Sequence, residues 1–211
     1  MPKLRFEISI SLDGYTSGPG QSVEQPLGAG GERLHEWVFP LAAWRAPHGL
    51  EGGEVNESSA VLERGLENLG ATIMGRHMFG GHPGPWDPVH PWNGWWGGEP
   101  PFHRPVFVVT HHPRPPLVLG ETTFTFVTDG IESALRQARA AAGRRDVALA
   151  GGADIGRQYL NAGLVDEMLL HQVPILLGGG ERLFDGVADL GSLRLTGSVA
   201  APGVTHLQFA R

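Results

Sequence analysis

Cysteine is absent from this sequence, and lysine occurs once, at Lys3. Without cysteine the chain can form no disulfide bond and can offer no thiolate ligand to a metal ion. Its 16 lysines and arginines are outnumbered by 22 aspartates and glutamates, and the formal net charge is −6. A surface that follows nucleic-acid phosphates needs clustered basic side chains, so we do not expect nucleic acid as a partner.

Long apolar runs are missing as well. No segment approaches the roughly 20 apolar residues that cross a membrane, and the N-terminal segment lacks the continuous apolar stretch of a signal peptide. We therefore expect a cytoplasmic protein that does not bind membranes. The ten histidines include no pair with the HExxH spacing of a helical zinc site, so no metal site is predicted. A G-x-S-x-G motif is also missing, which leaves an esterase without support.

Apolar residues recur at strand and helix periods along most of the chain. The segment KLRFEISIS, for example, alternates apolar and polar residues, as a strand with one buried face does. The predicted strands cover residues 3–11, 71–74, 105–110, 122–128, 146–150, 165–173, 193–200 and 204–210. The predicted helices cover residues 31–45, 57–68, 131–142 and 154–161; Asn56 is expected to cap the second helix and Gly70 to end it.

The order of these elements predicts the fold class. Strands that alternate with helices favour an α/β domain with a mostly parallel sheet covered on both faces. The last two strands favour an antiparallel hairpin around Pro202-Gly203. We expect one domain over residues 1–211, interrupted by a loop rich in Trp, Gly and Pro at about residues 80–104.

Two segments combine a buried strand, a glycine and a following helix. They are ATIMGRH at residues 71–77 and VALAGGADIG at residues 147–156. Glycine lets an anion approach the backbone, and the helix start offers free N–H groups. Arg76 would suit a ribose 2′-phosphate, which favours NADP over NAD. Each segment alone is also compatible with a plain strand-to-helix turn, and neither matches the GxGxxG or P-loop motif.

Specific residues in these segments resemble a known family. IMGRH at 73–77 is similar to the cofactor-binding segment of dihydrofolate reductases. SLDGY at 11–15 and LAGGADIGRQYLNAGLVDEMLLHQVPILLGGGERLF at 149–184 resemble the reductase domain of the bifunctional riboflavin-pathway enzymes. Those enzymes usually carry a zinc deaminase domain that needs cysteine, so this chain resembles a stand-alone reductase form.

The resemblance implies a three-layer α/β/α fold of the dihydrofolate reductase type that binds NADPH across the strand ends. It implies that Gly75, Arg76 and His77 hold the adenosine-side phosphate and that Thr110 and His111 lie beside the ribose. It also implies that the pyrophosphate is wrapped by Gly151, Gly152, Ala153, Asp154 and Ile155. Members of the family are commonly dimeric, so we expect a homodimer.

The acid–base residues are less clear than the cofactor residues. Dihydrofolate reductases place a carboxylate at a position that corresponds to Ser59 here, and Glu57 is the nearest carboxylate. Asp13 follows the first strand and would serve in proton transfer if burial raised its pKa; it is equally compatible with an Asp-Gly turn.

The loop at residues 80–104 is open to two interpretations. Trp92, Trp95 and Trp96 would bind a flat substrate if the loop is a lid. Alternatively, the loop is a small satellite core or a dimer contact.

We therefore expect an NADPH-dependent reductase that transfers a hydride to a small heterocyclic substrate. A pterin or a 5-amino-6-(5-phosphoribosylamino)uracil-like compound fits the resemblance. The alternative, suggested by the missing carboxylate at Ser59, is a non-catalytic nucleotide-binding or regulatory protein on the same fold.

Overall fold

The computed structural model describes residues 2–211, which form a nine-stranded sheet, a small two-stranded sheet and helices. The strands are β1 (Leu4–Ser11), β2 (Tyr15–Ser17), β3 (Leu69–Gly75), β4 (Pro105–Val109), β5 (Leu117–Leu119), β6 (Thr122–Val127), β7 (Asp146–Leu149), β8 (Glu167–Val173), β9 (Glu181–Arg182), β10 (Arg194–Ala201) and β11 (Val204–Ala210). The helices are α1 (Ala42–Arg45), α2 (Glu57–Leu66), α3 (Arg76–Phe79), α4 (Ile131–Ala142) and α5 (Ala153–Asn161), with 3-10 helices at Gly31–His35 and Ala46–His48.

The large sheet has the order β10-β11-β8-β1-β7-β3-β4-β6-β5. Neighbouring strands from β8 to β6 in this order are parallel. Strand β11 is antiparallel to β8, β10 to β11, and β5 to β6. The predicted mixed sheet and its C-terminal hairpin are therefore confirmed, and the parallel strands bring their carboxyl ends to one edge.

One helical layer consists of α4 and α5. Small residues let both helices lie close to the sheet: a Cβ at Gly156 would be 2.5 Å from the ring of Phe6, and one at Gly70 would be 2.8 Å from Cα of Ala142. The core between this layer and the sheet includes Leu4, Ile73 and Tyr159, which are fully buried. This packing fixes the start of α5 against the end of β3.

The opposite layer has two separate parts. Residues 31–66, which include α2, cover β1, β8 and the C-terminal hairpin, with Leu34 and Trp37 in the local core. Helix α3 and residues 80–104 cover β3, β4 and β6, with Phe79 and Phe124 fully buried there. The sheet between these two parts is less covered.

Several local predictions were wrong. Residues 31–45 do not form one helix, because Pro40 has no N–H to donate and Leu41 is extended, with ψ 134°; a 3-10 turn and the short α1 take its place. Helix α2 is capped by Asn56 as predicted, but it ends at Leu66 rather than at Gly70. Strands β2, β5 and β9 were not predicted, since two or three residues show no periodicity.

No helix within residues 2–211 is long and apolar enough to cross a bilayer.

Candidate functional site

The two strand–glycine–helix segments meet at the carboxyl edge of the sheet. Strand β3 lies between β7 and β4, so the ends of these three strands are neighbours. The backbone N–H of Gly75, at the end of β3, donates to the carbonyl of Gly151, just after β7, at 2.9 Å. Ligands of open α/β sheets bind at such an edge, so the predicted cofactor segments lie in a suitable place.

Of the two glycines at these strand ends, Gly151 has the clearer reason to be glycine. A Cβ at Gly75 would lie 3.4 Å from Ile155 in the first turn of α5, at the edge of ordinary van der Waals contact. Gly151 has φ 110°, a conformation that side chains disfavour, and the Gly151–Gly152 peptide bond is cis. Gly152 precedes α5, and the first N–H groups of a helix have no acceptor within it. The site therefore offers backbone donors to an anion.

Arg76 directly follows Gly75 and begins α3. Its guanidinium stacks on Trp86, 3.8 Å from the ring centroid, and Nη2 donates to the carbonyl of His82 at 2.9 Å. Its Nε is buried without a hydrogen-bond partner. Burial and the neighbouring charge of Arg114 lower the pKa of Arg76. His77 is exposed. Of the two side chains in the GRH segment, that of Arg76 is therefore stacked on an aromatic ring and that of His77 faces solvent.

Thr110 and His111 follow β4 at the same edge. Thr110 is buried, with 6% of its surface exposed, and its N–H donates to the carbonyl of Val127 at 3.0 Å. Its hydroxyl accepts from the N–H of His112 at 3.2 Å. Thr110 therefore shapes the turn, while His111 is exposed beside it.

The Trp-rich loop is packed through its indole groups. Nε1 of Trp92 donates to the carbonyl of Phe79 at 2.9 Å, and Nε1 of Trp95 donates to that of Met78 at 3.0 Å. Trp96 stacks over Phe124 at 5.9 Å between centroids. These contacts make a satellite core over α3, which is one of the two interpretations of this loop; the indole N–H groups of Trp92 and Trp95 donate to backbone carbonyls of α3.

Asp13 serves as a clamp between two loops. Its carboxylate accepts from the N–H groups of Leu177 and Gly178, the latter at 2.8 Å, and from the hydroxyl of Ser11 at 2.6 Å. These hydrogen bonds, that from Ser11 first, lower the pKa of Asp13 to about 2. Burial acts in the opposite direction but is outweighed, so the condition under which Asp13 would serve in proton transfer, a raised pKa, is not met. An ionised, fully engaged carboxylate is a poor proton donor.

Glu57 begins α2 and is exposed. The next two residues are buried serines with structural contacts. The Ser59 hydroxyl accepts from the N–H of Asn56 at 3.1 Å, which completes the cap of α2. Ser59, which by the family resemblance stands at the position of a carboxylate, therefore contributes to the cap of α2.

A groove crosses the face that carries α2. Strand β7 lies in the middle of the sheet, yet Ala148 is half-buried, as is Ala150 just beyond the strand's end, whereas Val147 and Leu149 on the other face are buried. Central parallel strands are normally covered on both faces. The uncovered strip between α2 and α3, floored by Ala148 and Ala150, is here called the central groove. It runs up to the strand ends that carry Gly75 and Gly151.

Sequence reasoning missed a chain of four polar side chains beside this groove. Glu7 Oε1 lies 2.9 Å from Nε2 of His171, whose Nδ1 lies 2.7 Å from Nδ1 of His206. Nε2 of His206 lies 2.9 Å from the Ser58 hydroxyl. Trp37 packs on both imidazole rings.

The two histidines of this hydrogen-bonded group of side chains are buried. His171 and His206 are 3% and 0% exposed, and burial, followed by the charge of His171, lowers the pKa of His206 to about 4. A histidine within each of two strand segments was the available signal, but the partner residues lie up to 164 positions apart.

Within residues 2–211, no group of three or more His, Cys, Asp or Glu is placed to hold a metal ion. The arrangement instead combines a strand edge that offers helix N–H groups with an adjoining strip of the sheet in which Ala148 lies between Arg5 and Thr72. Such a site can bind an anionic nucleotide at the edge and position a flat molecule in the groove.

Comparisons with known proteins identify the family and the fold of the chain. Residues 2–207 match the model of the RibD C-terminal domain family. A solved structure described as a riboflavin biosynthesis protein from Shewanella sp. PV-4 superposes with a TM-score of 0.64 at 20% identity, covering 99% of this chain and 98% of that one. No curated protein matches the chain.

Two further solved structures are similar. The diaminohydroxyphosphoribosylaminopyrimidine deaminase/5-amino-6-(5-phosphoribosylamino)uracil reductase from Thermotoga maritima gives a TM-score of 0.58 at 11% identity, with 99% of this chain covering 56% of that one. Dihydrofolate reductase from Enterococcus faecalis, complexed with NADP(H), gives 0.51 at 10% identity, with coverages of 99% and 96%. These likenesses confirm the predicted dihydrofolate-reductase-like fold.

Proposed function

The chain belongs to the RibD C-terminal domain family, and from this membership we propose that it is an NADPH-dependent reductase. The proposed substrate is a small nitrogen heterocycle, such as a pterin or a 5-amino-6-(5-phosphoribosylamino)uracil-like compound. The observation that carries the proposal is the convergence of Gly75 with Gly151 and the start of α5 at one strand edge. That edge opens directly into the central groove.

The residues present fit a dinucleotide. Backbone N–H groups of Ala153, Asp154 and Ile155 would bind the pyrophosphate, because a helix start favours negative charge. Arg76 has donors beyond the one bound to His82, and Nε still lacks an acceptor, so it would hold a ribose phosphate. Thr110 and His111 would line the ribose side. When bound, NADPH supplies the hydride; the chain contributes position and water exclusion.

The groove suits a flat substrate. Its floor includes the small residues Ala148 and Ala150, and it lies between the apolar cluster around Phe79 and the one around Leu34. A heterocycle there would lie next to the strand edge at which the cofactor is proposed to bind. Assembly into a homodimer stays a prediction from the family resemblance.

The proposal is tested by titrating the purified protein with NADPH and, separately, with NADH, while following cofactor fluorescence. We expect selective binding of NADPH. In Arg76→Gln, NADPH affinity should fall by about tenfold or more, because hydrogen bonds to charged groups contribute about 1.5–3 kcal/mol, while NADH affinity should change little.

Arg144→Gln is the matched control, since Arg144 is exposed near the start of β7, at the opposite edge of the sheet. Equal affinities of the parent protein for NADPH and NADH would contradict the assignment of Arg76. Failure to bind either cofactor would contradict the reductase proposal itself.

A second candidate is a non-catalytic nucleotide-binding protein. It is favoured by Ser59, whose hydroxyl completes the Asn56 cap of α2 at the position where the family resemblance implies a carboxylate that assists protonation. NADPH binding without oxidation, across a panel of pterins and aminopyrimidines, would support this candidate over the reductase.

A further inference from the structure

Two arginines lie over the same indole ring beside the candidate cofactor site. The guanidinium carbon of Arg76 is 3.8 Å from the ring centroid of Trp86, and that of Arg114 is 4.9 Å from it. Arg114 also lies over Phe126, at 4.7 Å. Arg76 directly follows β3, so these side chains lie next to the strand edge. Arg76, Trp86 and Arg114 are here called the arginine–tryptophan cluster.

No carboxylate compensates the two charges of this cluster. Among residues 2–211, neither Arg76 nor Arg114 forms an ion pair. Asp87 follows the indole in the chain, but its carboxylate accepts from backbone N–H groups of its own turn. Burial lowers the pKa of both guanidiniums, and the charge of Arg114 lowers that of Arg76 further. Because burial removes part of the hydration of a charge, two adjacent cations without a counterion favour the binding of an anion.

Neutral groups hold both guanidiniums in place. Nη2 of Arg76 donates to the carbonyl of His82 at 2.9 Å. Arg114 donates to the carbonyl of Trp92 at 2.7 Å and to the side-chain oxygen of Asn93 at 3.1 Å. Each guanidinium has more N–H groups than these contacts use, and Nε of Arg76 is buried without an acceptor. A planar guanidinium that stacks on a ring keeps the N–H groups at its edge available to an anion.

Trp86 is itself fixed by three elements of the fold. Its Nε1 donates to the carbonyl of His112 at 2.7 Å. Its ring makes edge-to-face contacts with Phe79 and Phe126, at 5.8 and 5.1 Å between centroids. His112 follows β4, Phe79 ends α3, and Phe126 belongs to β6. The indole therefore joins the Trp-rich loop to the sheet and gives both arginines a fixed surface to lie on.

We propose that Trp86 is a positioning residue that holds Arg76 and Arg114 together as a two-cation site for a phosphate monoester, with Arg114 supplying the second charge. Under the proposed function, on which this rests, the cluster selects NADPH over NADH. A phosphate monoester carries a charge of about −1.5 to −2 at neutral pH, which two guanidiniums neutralise. The Trp-rich loop then supports the phosphate site through Trp86 and does not serve as a lid over the substrate.

The decisive quantity is the ratio of the Kd for NADH to the Kd for NADPH, because NADH differs from NADPH only in lacking the 2′-phosphate. Trp86→Leu should lower this ratio by about tenfold. Trp86→Phe, which keeps an aromatic face for both guanidiniums, should retain most of it. Arg114→Gln should also lower the ratio by about tenfold, and Arg114→Lys, which keeps the charge, should retain part of it. Arg144→Gln is again the matched control and should leave the ratio unchanged.

The ratio separates positioning from a merely structural role. If Trp86 only stabilised the loop, Trp86→Leu would weaken NADPH and NADH equally and the ratio would stay constant. Adenosine 2′-monophosphate and adenosine give a second measurement that needs no dinucleotide. We expect the parent protein to bind the phosphate about tenfold more tightly than the nucleoside, as measured by NMR titration, and Trp86→Leu to lose this preference. The two Arg114 variants keep both measurements decisive if Trp86→Leu does not fold.

The outcomes are distinguishable from those of the cofactor test. If the parent protein prefers NADPH but Trp86→Leu and Arg114→Gln keep the full preference, the assignment of the cluster is overturned and the reductase proposal stands. If adenosine 2′-monophosphate is preferred, the variants lose that preference and NADPH fails to bind, the phosphate site stands and the reductase proposal falls. A parent protein that prefers neither phosphorylated ligand overturns the assignment of the cluster.

Discussion

Gly156→Ala tests whether the close packing of α5 on the sheet supports the strand edge at which the cofactor is proposed to bind. A Cβ at this position would lie 2.5 Å from Cζ and 2.9 Å from Cε1 of Phe6, whose side chain is 1% exposed. Carbon atoms in contact are normally about 3.5–4.0 Å apart, so the ring or the helix must move by about 1 Å. The ring has no free space around it in a close-packed core.

Two opposing terms set the magnitude. Replacing glycine by alanine within a helix stabilises it by about 1 kcal/mol, whereas overpacking a core costs about 1–3 kcal/mol. With a contact this short, the cost should lie at the upper end, for a net loss of about 1–2 kcal/mol. In a protein of this length that corresponds to a fall in Tm of about 2–8 °C. Urea unfolding monitored by tryptophan fluorescence measures it directly.

The same displacement should weaken NADPH binding, because the first turn of α5 contacts Gly75 through Ile155. Gly65→Ala is the stability control: its added methyl group meets only the flexible end of Glu7, so it should be neutral or up to about 1 kcal/mol stabilising. The reasoning is refuted if Gly156→Ala is as stable as the parent protein, or if both substitutions cost the same.

Two further predictions concern pH and the loop clamp. His206 has a pKa of about 4 in the folded state against an ordinary 6.5, so the unfolded chain binds a proton more readily and the free energy of unfolding should fall by at most about 3 kcal/mol as the pH drops from 6.5 to 4. In His206→Phe the free energy of unfolding should depend less steeply on pH over that range. An equally steep dependence in the variant would contradict the assignment. The pKa of Asp13 is about 2 against an ordinary 3.8, so its contribution is present above pH 3.8 and lost as the pH falls towards 2. Asp13→Asn should remove that acid-sensitive part and speed proteolysis of the loop at Leu177, whereas unchanged proteolysis would count against the clamp.

Local patterns predicted the regular elements of the sheet well. The alternation in β1 and the apolar run before Gly75 specify strands whatever surrounds them, and Asn56 marked the start of α2 correctly. The prediction of one helix over residues 31–45 was wrong for a physical reason. Apolar residues at helical spacing cannot maintain a helix through Pro40 when the next residue, Leu41, is extended.

Some features of the candidate site could also be seen in the sequence, and others could not. Gly75 and Gly151 were visible in the sequence as candidates because glycine at a strand end has a local steric reason, and their role in cofactor binding stays a prediction. Asp13 was recognisable as a candidate, but its role depends on amides from Leu177 and Gly178, which no local pattern indicates. The tryptophans were visible as a cluster, yet only the structure shows their indole groups bound to the backbone of α3.

By itself the sequence determined the α/β class, the parallel strands with their C-terminal hairpin and the glycine-bearing strand ends, because periodicity and turn chemistry act between near neighbours. Only the tertiary structure decided that β7 leaves a groove and that Glu7, His171, His206 and Ser58 join beside it. Their meeting depends on the order and register of β1, β8 and β11, which bring together residues up to 164 positions apart. Long-range pairing of this kind is set by the packing of the whole sheet rather than by the spacing of any one segment.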